Sequence, residues 1–302
     1  MRLQILSDLH LETQPDWTAA PAPDADLLVL AGDIGSYQRG SRLQGDDFGL
    51  GRFAPRPGWS RVLFVPGNHE YDGLDHDATG PRLQALCARL GIEWLDRRIR
   101  VIDGVRFIGT TLWSDFAALG HLDKALRAAD WYLSRNTTLR EGRLVMAAEL
   151  REMALDCQRW LRAALCEPHD GPTVVVSHFA PTLDSADPRY GMVPGTAGFC
   201  NTLDELLPLA DLWIHGHLHC PVDVTRAGCR IVCNALCAQG RAGRPPARLV
   251  RRGAPAFGRG AHSATACSRI APSVRRAGSS RCRWWVKTMI CPPSRPQASA
   301  SA

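Results

Sequence analysis

The stretch Ile214-His215-Gly216-His217-Leu218-His219 places three imidazoles within five residues, directly after a short apolar run. Three histidines are a poor way to finish a buried strand unless some of them bind a ligand. We interpret His215, which lies within the apolar run, as a core residue or as a residue behind the site. His217 and His219 follow the run, and we predict that they are metal ligands.

Four other short motifs follow apolar runs in the same way. They are Ser7-Asp8-Leu9-His10, Gly32-Asp33, Gly67-Asn68-His69-Glu70 and Ser177-His178. Each is weak by itself, because Asp-x-His triplets are common and Gly-Asn favours ordinary turns and helix caps. Together they offer carboxylate, amide and imidazole donors, which suit Mn, Fe, Zn or Ni. This is more than one structural zinc needs, so the sequence predicts a hydrolytic site with two metal ions.

Residues 1–235 alternate apolar runs with helical patterns, which predicts an α/β domain. The expected strands cover residues 3–6, 27–30, 62–65, 106–109, 174–176, 212–214 and 231–232. Helical spacing predicts helices over 81–90, 147–165 and 202–209, the last capped by Asn201 or Thr202. Residues 115–146 lack chemistry-bearing groups, and we predict a mostly helical insertion near the site. Its aromatic residues Trp131 and Tyr132 are expected to pack.

Composition divides the 302-residue chain into two unequal parts. The net charge of +6 arises from residues 236–302, which contain 13 Lys and Arg and no Asp or Glu. Residues 1–235 hold 23 basic and 30 acidic residues, a net charge of −7. The N-terminus lacks the apolar stretch of a signal peptide, and no run of about 18 apolar residues suggests a membrane span. A cytoplasmic location is therefore expected.

Three interpretations compete for the basic segment 236–302. It is a nucleic-acid-binding tail, a solvated linker without function, or an end of the reading frame that is out of register. Its weak apolar patterning and unbalanced charge predict disorder, and the complete lack of acids favours the frame error. For residues 1–235 the charge of −7 argues against nucleic acid as a partner, since such partners favour basic surfaces.

Taken in order, the five motifs resemble those of the calcineurin-like metallophosphoesterase superfamily, in its small bacterial branch of stand-alone phosphoesterases. The resemblance covers about residues 1–235. It implies a four-layer α/β/β/α sandwich of two mixed sheets with metals at one end. It also implies a metal-dependent hydrolase of phosphomonoesters or phosphodiesters, with a dinuclear centre of divalent transition-metal ions and a bridging hydroxide. Its partner would be a small phosphoester.

The resemblance assigns a role to each motif residue by its position. The first metal would be held by Asp8, His10 and His219, and the second by Asn68, His178 and His217. Asp33 would bridge the two ions. His69 would lie beside the substrate phosphate as the catalytic residue, and Glu70 would orient His69 or a ligand from behind.

Two departures from the family pattern stand out. Many relatives carry Asp or Asn three residues after the bridging Asp, where this chain has Ser36. Closing strands normally follow the last motif, whereas here Asn234-Ala235-Leu236 leads into the acid-free segment. Two alternatives stay open: a nuclease of the same superfamily, and a catalytically silent scaffold. The scaffold is disfavoured because such a protein would be expected to have lost ligands.

Overall fold

The computed structural model describes residues 1–23, 25–236 and 285–286. Over these residues it contains thirteen strands and three α-helices. The strands are β1 (Arg2–Leu6), β2 (Leu27–Ala31), β3 (Val62–Val65), β4 (Glu93–Trp94), β5 (Arg98–Ile102), β6 (Val105–Thr110), β7 (Leu139–Arg140), β8 (Arg143–Leu144), β9 (Thr173–Ser177), β10 (Leu212–His215), β11 (Val222–Arg226), β12 (Cys229–Cys233) and β13 (Trp285–Val286). The helices are α1 (His76–Leu90), α2 (Leu122–Leu133) and α3 (Ala147–Cys166).

Two sheets form the centre of the fold. The first has the order β13-β1-β2-β3-β4, and all its neighbouring strands are parallel. The second has the order β11-β12-β10-β9-β6-β5, with a parallel centre and an antiparallel strand at each edge. Strands β7 and β8 form a separate hairpin. The second sheet is therefore mixed, whereas the first is wholly parallel.

Apolar side chains on both faces of the strands produce the layers. Ile5 and Val29 of the first sheet join Val176 and Ile214 of the second in one buried cluster, so the sheets pack face to face. Alternate residues on the same strands point outward and join the cluster that contains the inner faces of α1 and α3. Strands covered on both faces are continuously apolar, as parallel strands usually are. The four-layer α/β/β/α sandwich is thus confirmed, with one mixed and one wholly parallel sheet where two mixed sheets were expected.

Helix α1 shows why its bounds differ from the predicted 81–90. The side chain of Asp75 accepts hydrogen bonds from the amides of Asp77 (3.1 Å) and Ala78 (3.0 Å), so the helix begins one turn before Pro81. Gly91, at φ 72°, ends it in the left-handed conformation that glycine tolerates. Helix α3 matches its predicted bounds to within one residue.

The seven predicted strands are all present, within two residues of their expected bounds. The short helix expected at 202–209 is a 3₁₀ helix, Asp204–Leu209, and Leu203 rather than Asn201 or Thr202 occupies its N-cap position. The Asn201 side chain instead donates to the Trp113 carbonyl at 2.9 Å. The described residues contain no helix long and apolar enough to cross a membrane.

The segment 115–146 is less helical than predicted. It contains α2 and the β7–β8 hairpin, joined by irregular backbone. Trp131 and Tyr132, which were expected to pack, are 61% and 65% exposed, and the ring of Trp131 lies under the guanidinium of Arg135. Of the basic segment, Leu236, Trp285 and Val286 are described, and the last two pair with Arg2 and Leu3 of β1. That pairing departs from the expected lack of strand structure, and the rest of the segment lies outside the described residues.

Candidate metal centre

The predicted site residues meet because five parallel strands end at one edge of the sandwich. Asp8 and His10 follow β1, Asp33 follows β2, and Asn68 and His69 follow β3. From the second sheet, His178 follows β9, and His217 and His219 follow β10. The two sheets are joined at this edge, because the amide of His217 donates to Oδ1 of Asp8 at 2.8 Å.

One group of donors comprises Asp8, His10, Asp33 and His219, whose ligand atoms all lie within 4.8 Å of one another. Nε2 of His219 lies 3.5 Å from Oδ1 of Asp8. Nε2 of His10 lies 3.0 Å from Nε2 of His219 and 3.9 Å from Oδ2 of Asp33. These are the four residues that the family resemblance assigns to the first ion and the bridge.

A second group comprises Asp33, His178 and His217, again within 4.8 Å of one another. Nδ1 of His178 donates to the Ala31 carbonyl at 2.8 Å, which leaves Nε2 directed into the site. That nitrogen lies 3.2 Å from Oδ2 of Asp33 and 3.2 Å from Oδ1 of Asn68. Asp33 therefore belongs to both groups, and Asn68 joins the second through its amide oxygen.

The donor atoms fit divalent metal ions better than they fit one another. Among the described residues, Oδ2 of Asp8 and Oδ2 of Asp33 are fully buried and no donor meets either atom in good hydrogen-bond geometry, although Nε2 of His178 lies 3.2 Å from the second. Buried carboxylate oxygens without a donor are costly. Nε2 of His178, whose other ring nitrogen already donates, faces two oxygen acceptors. A cation between these atoms would satisfy all of them.

The backbone at the site is held in an unusual conformation. Asp8, His10, Asp33, His217 and His219 all have φ between 45° and 71°. Residues other than glycine adopt this left-handed region rarely, and such strain concentrates at functional sites. The conformation turns each donor side chain away from the strand direction and toward the shared centre.

Two glycines allow the loops to approach closely. Gly32 has φ 85°, and a Cβ there would lie 2.4 Å from Nδ1 of His178 and 2.6 Å from the amide of Gly67. A Cβ on Gly67 would lie 2.2 Å from Oδ1 of Asp33. Side chains at either position would push the bridging carboxylate and its neighbours apart.

Glu70 stabilises the loop of Asp33 rather than orienting His69. Its carboxylate is buried and accepts hydrogen bonds from the amides of Asp33 (3.0 Å), Ile34 (2.6 Å) and Gly67 (2.6 Å). Burial and the nearby charge of Asp33 raise the pKa of Glu70 to about 7. Glu70 thus connects the loop of Asp33 to the loop of Gly67. Its contacts match a supporting role for the ligand Asp33 and not the alternative role of orienting His69.

Two carboxylates at the site were missed from the sequence. Oε1 of Glu12 lies 2.8 Å from Nδ1 of His10, and its other oxygen accepts from the Ser36 amide at 3.2 Å. Oδ2 of Asp72 lies 2.5 Å from Nδ1 of His69. Carboxylate–histidine pairs of this kind fix the ring orientation of metal-binding histidines. Their sequence signal is an acid two residues after His10 and three residues after His69.

His69 is the most basic group of the site. Burial lowers its pKa, but the charge of Asp33 and the hydrogen bond to Asp72 outweigh that effect and raise the pKa to about 10. Its Nε2 lies 3.9 Å from Oδ2 of Asp33, and its side chain is 22% exposed. The ring is therefore protonated at neutral pH and reaches both the shared carboxylate and the solvent.

The other titratable groups respond to burial and to Asp33. Burial alone would raise the pKa of Asp33, but the charges of His178 and His69 hold it well below its usual value. Burial lowers the pKa of His178, and the charge of Asp33 more than compensates, raising it to about 9. His217 has a pKa well below its usual value because of burial and the charge of His178.

His215 is a fully buried residue behind the site, as expected. Its Nδ1 donates to the Gly216 carbonyl at 3.0 Å, and the Ser185 hydroxyl lies 3.0 Å from its Nε2. Burial lowers its pKa to about 4. His215 is therefore a neutral imidazole whose two nitrogens are both satisfied by the protein.

The structure thus brings together all eight predicted motif residues and Glu70. A family model described as "Calcineurin-like phosphoesterase" matches residues 1–221. The chain belongs to this family. A curated relative, an uncharacterized protein of Acanthamoeba polyphaga mimivirus, is 25% identical over 263 residues, which cover 78% of this chain and 90% of the relative.

One solved structure supports the fold. The chain is similar to a phosphopantetheinyl hydrolase from Mycobacterium tuberculosis with a TM-score of 0.57 and 21% identity. The match covers 78% of this chain and 89% of that protein. Family membership indicates a hydrolase that binds divalent metal, and the two donor groups are where this chain has the side chains to do so.

Proposed function

We propose that this chain hydrolyses phosphomonoesters or phosphodiesters with two divalent transition-metal ions. The observation that carries this proposal is the membership of Asp33 in both donor groups. Two-metal hydrolases hold their ions about 3.5–4 Å apart, and one carboxylate common to two adjacent groups suits that spacing. The buried, unsatisfied Oδ2 atom of Asp33 supports the same conclusion.

In this proposal the family assignment of ligands is retained. The first ion is held by Asp8, His10 and His219, the second by Asn68, His178 and His217, with Asp33 between them. Imidazole mixed with oxygen donors suits Mn, Fe, Zn or Ni. When bound, such ions lower the pKa of a water molecule and neutralise charge on the phosphoryl oxygens.

The side chains around the ions divide the remaining work. Glu12 holds the ring of His10 through Nδ1, which directs Nε2 toward the centre. Asp72 keeps Nδ1 of His69 protonated and leaves its Nε2–H free to face a substrate. A protonated imidazole at that position donates to a phosphoryl oxygen or to the departing alkoxide, a contribution of about 10²–10⁴ in rate.

Two alternatives make different demands on the site. A nuclease of the superfamily would need an electropositive surface, and the net charge of −7 on residues 1–235 argues against it. A silent metal-binding scaffold would need the same two donor groups, but it would not need His69, which holds no ion in this assignment, or the buried Asp72 that contacts its ring. The retained His69–Asp72 pair therefore favours an enzyme over a scaffold.

A metal-reconstitution panel tests the proposal. The protein is stripped with chelator, loaded separately with Mn, Ni, Zn or Mg, and assayed on p-nitrophenyl phosphate, bis(p-nitrophenyl) phosphate and an oligonucleotide. We expect a transition metal to restore hydrolysis of at least one small ester. The Asp33→Asn variant should stay inactive, and the exposed control Asp170→Asn should match the wild type.

The other outcomes identify the alternatives. Hydrolysis of the oligonucleotide alone would support the nuclease. A folded protein that binds metal but cleaves none of the three substrates would support the scaffold and contradict the proposal.

A further inference from the structure

Four exposed apolar side chains lie on the segment 190–199, and the last of them, Phe199, contacts a candidate metal ligand. Tyr190, Met192, Val193 and Phe199 are 66%, 60%, 49% and 44% exposed. We call these four residues the apolar rim. Single exposed apolar residues need no explanation, but a group of them within one short segment marks a surface that contacts something.

Phe199 connects the apolar rim to the candidate ligand His217 through a tilted ring contact. The ring centroid of Phe199 lies 4.9 Å from that of His217, with an interplanar angle of 32°. The ring of Phe179, which is buried, lies 4.0 Å from the same imidazole. The apolar surface therefore extends from the core past a candidate ligand to the solvent at Phe199.

The backbone beneath the apolar rim is anchored. The hydroxyl of Thr196 donates to the Gly191 carbonyl at 2.9 Å and accepts from the Val193 amide at 3.3 Å. The carbonyl of Phe199 accepts from the Ala180 amide at 3.3 Å, in the loop that follows His178. Because the exposed ring stands on fixed backbone, a bound group need not order this loop first.

The charge next to the rim is neutralised. The guanidinium of Arg189 is bound to the carboxylate of Asp187, with Nε 2.7 Å from Oδ2. The rim therefore offers apolar surface beside the site rather than a cationic surface that would select a second phosphate. An apolar surface suits the organic group of a phosphoester, whereas a cationic surface would suit a phosphate.

We propose that the apolar rim, and Phe199 above all, binds the organic group of the phosphoester. This specificity rests on the proposed hydrolytic function. The chain then favours esters with an alkyl or aryl group over small polar esters such as glycerol or sugar phosphates. Phe199 is a specificity-determining residue, and the phosphate itself stays with the metal centre.

A homologous series of substrates tests the proposal. Alkyl phosphates from methyl to hexyl, as monoesters and as methyl diesters, have leaving groups of almost constant basicity. Changes in kcat/KM along the series therefore report contact with the chain. Full burial of one methylene group would raise kcat/KM by about fourfold. At a surface that is open to solvent, we expect an increase in kcat/KM of roughly twofold per methylene.

Variants locate the effect. Phe199→Ala should abolish the increase in kcat/KM with the length of the alkyl group, while Phe199→Tyr should retain it. Val101→Ala is the control, because Val101 is another exposed apolar residue and pairs with Arg106 near the start of β6, at the end of the sheet opposite His178. This control should show the wild-type slope. Thermal melting checks that each variant is folded.

A binding measurement separates this proposal from the proposed hydrolysis. Methyl-, butyl- and hexylphosphonate are titrated into metal-loaded protein by calorimetry, which needs no turnover. Tighter binding of longer chains that Phe199→Ala abolishes would support the rim even if no ester is cleaved. Binding and kcat/KM that do not depend on chain length, or a slope that Phe199→Ala leaves unchanged, would overturn the proposal whether or not the chain is a hydrolase.

Discussion

Nδ1 of His69 lies 2.5 Å from Oδ2 of Asp72, three residues further along the same loop. Asp72 is buried, so its charge acts on the imidazole with little screening by water. The pair also fixes the ring, since the donated proton holds Nδ1 toward the carboxylate. His69 therefore presents Nε2 to the metal centre in its protonated form.

We expect Asp72→Asn to reduce turnover by roughly tenfold and to shift its pH dependence. Asp72 helps to raise the pKa of His69, so its loss lowers that pKa. Activity that needs protonated His69 is lost as pH rises through this pKa. The alkaline limb of kcat should therefore move to lower pH in Asp72→Asn, with the metal content unchanged. A pH profile identical to that of the wild type would contradict this role.

The metal content distinguishes a ligand from an acid catalyst. With seven predicted ligands, we expect close to two transition-metal ions per chain by elemental analysis after Mn or Fe loading. Asp33→Asn should lose metal and activity together, because the shared charge holds both ions. His69→Ala should keep its metal and lose turnover by about 10²–10⁴-fold. Loss of metal in His69→Ala would make His69 a ligand.

Sequence reasoning found the strands and the donor motifs for one physical reason. The parallel strands that lead to the site are mostly apolar and buried, so polar residues within a few positions of their ends stand out. Asp33, two residues after β2, and His178, directly after β9, are examples. The order of the motifs then predicted that their strand ends would meet. The fold and the candidate site therefore depended on the same feature of the sequence.

The edge hairpins could have been predicted but were not. Ile102 and Val105 pair across the two-residue turn Asp103-Gly104, whose φ values are 49° and 79°. Asp-Gly between strand-like runs is a strong hairpin signal. Strand β5 was overlooked because it is rich in exposed arginine, which hides the apolar alternation of an edge strand.

The roles of Glu12 and Asp72 were harder to predict. Glu12 contacts His10 because the chain turns sharply at His10, which has φ 45°, whereas Asp72 meets His69 across the 3₁₀ helix His69–Tyr71. A left-handed residue that is not glycine leaves little mark in a sequence, since its strain is offset by the surrounding structure. The sequence shows both acids, but it does not show that their side chains point toward the histidines.

Glu12→Gln tests whether the carboxylate behind His10 supports the first ion. The amide can still contact the ring but carries no charge, so His10 becomes a weaker ligand. We expect metal affinity to fall by about 10- to 100-fold for one ion of the two. Competition with a chelator measures this change, and Glu141→Gln, at a position where the side chain is 83% exposed, serves as the control. Equal weakening of both ions would contradict the assignment of His10 to the first.

The buried His215 should make stability depend on pH. Its pKa is about 4 in the folded protein, against an ordinary value of 6.5. Below pH 6.5 the unfolded chain binds a proton that the folded chain refuses, so stability is lost as pH falls from 6.5 toward 4. The loss is on the order of 3 kcal/mol over that window. Urea unfolding at several pH values, in the presence of chelator, measures it.

The His215→Asn variant separates this effect from the titration of the other histidines. We expect it to be less stable than the wild type at pH 7, because the contact between Ser185 and the imidazole is lost. The difference in unfolding free energy between the two proteins should then shrink as pH falls toward 5, since only the wild type pays the proton-linked cost at this position. A difference that stays constant from pH 7 to pH 5 would show that His215 is not held neutral by burial.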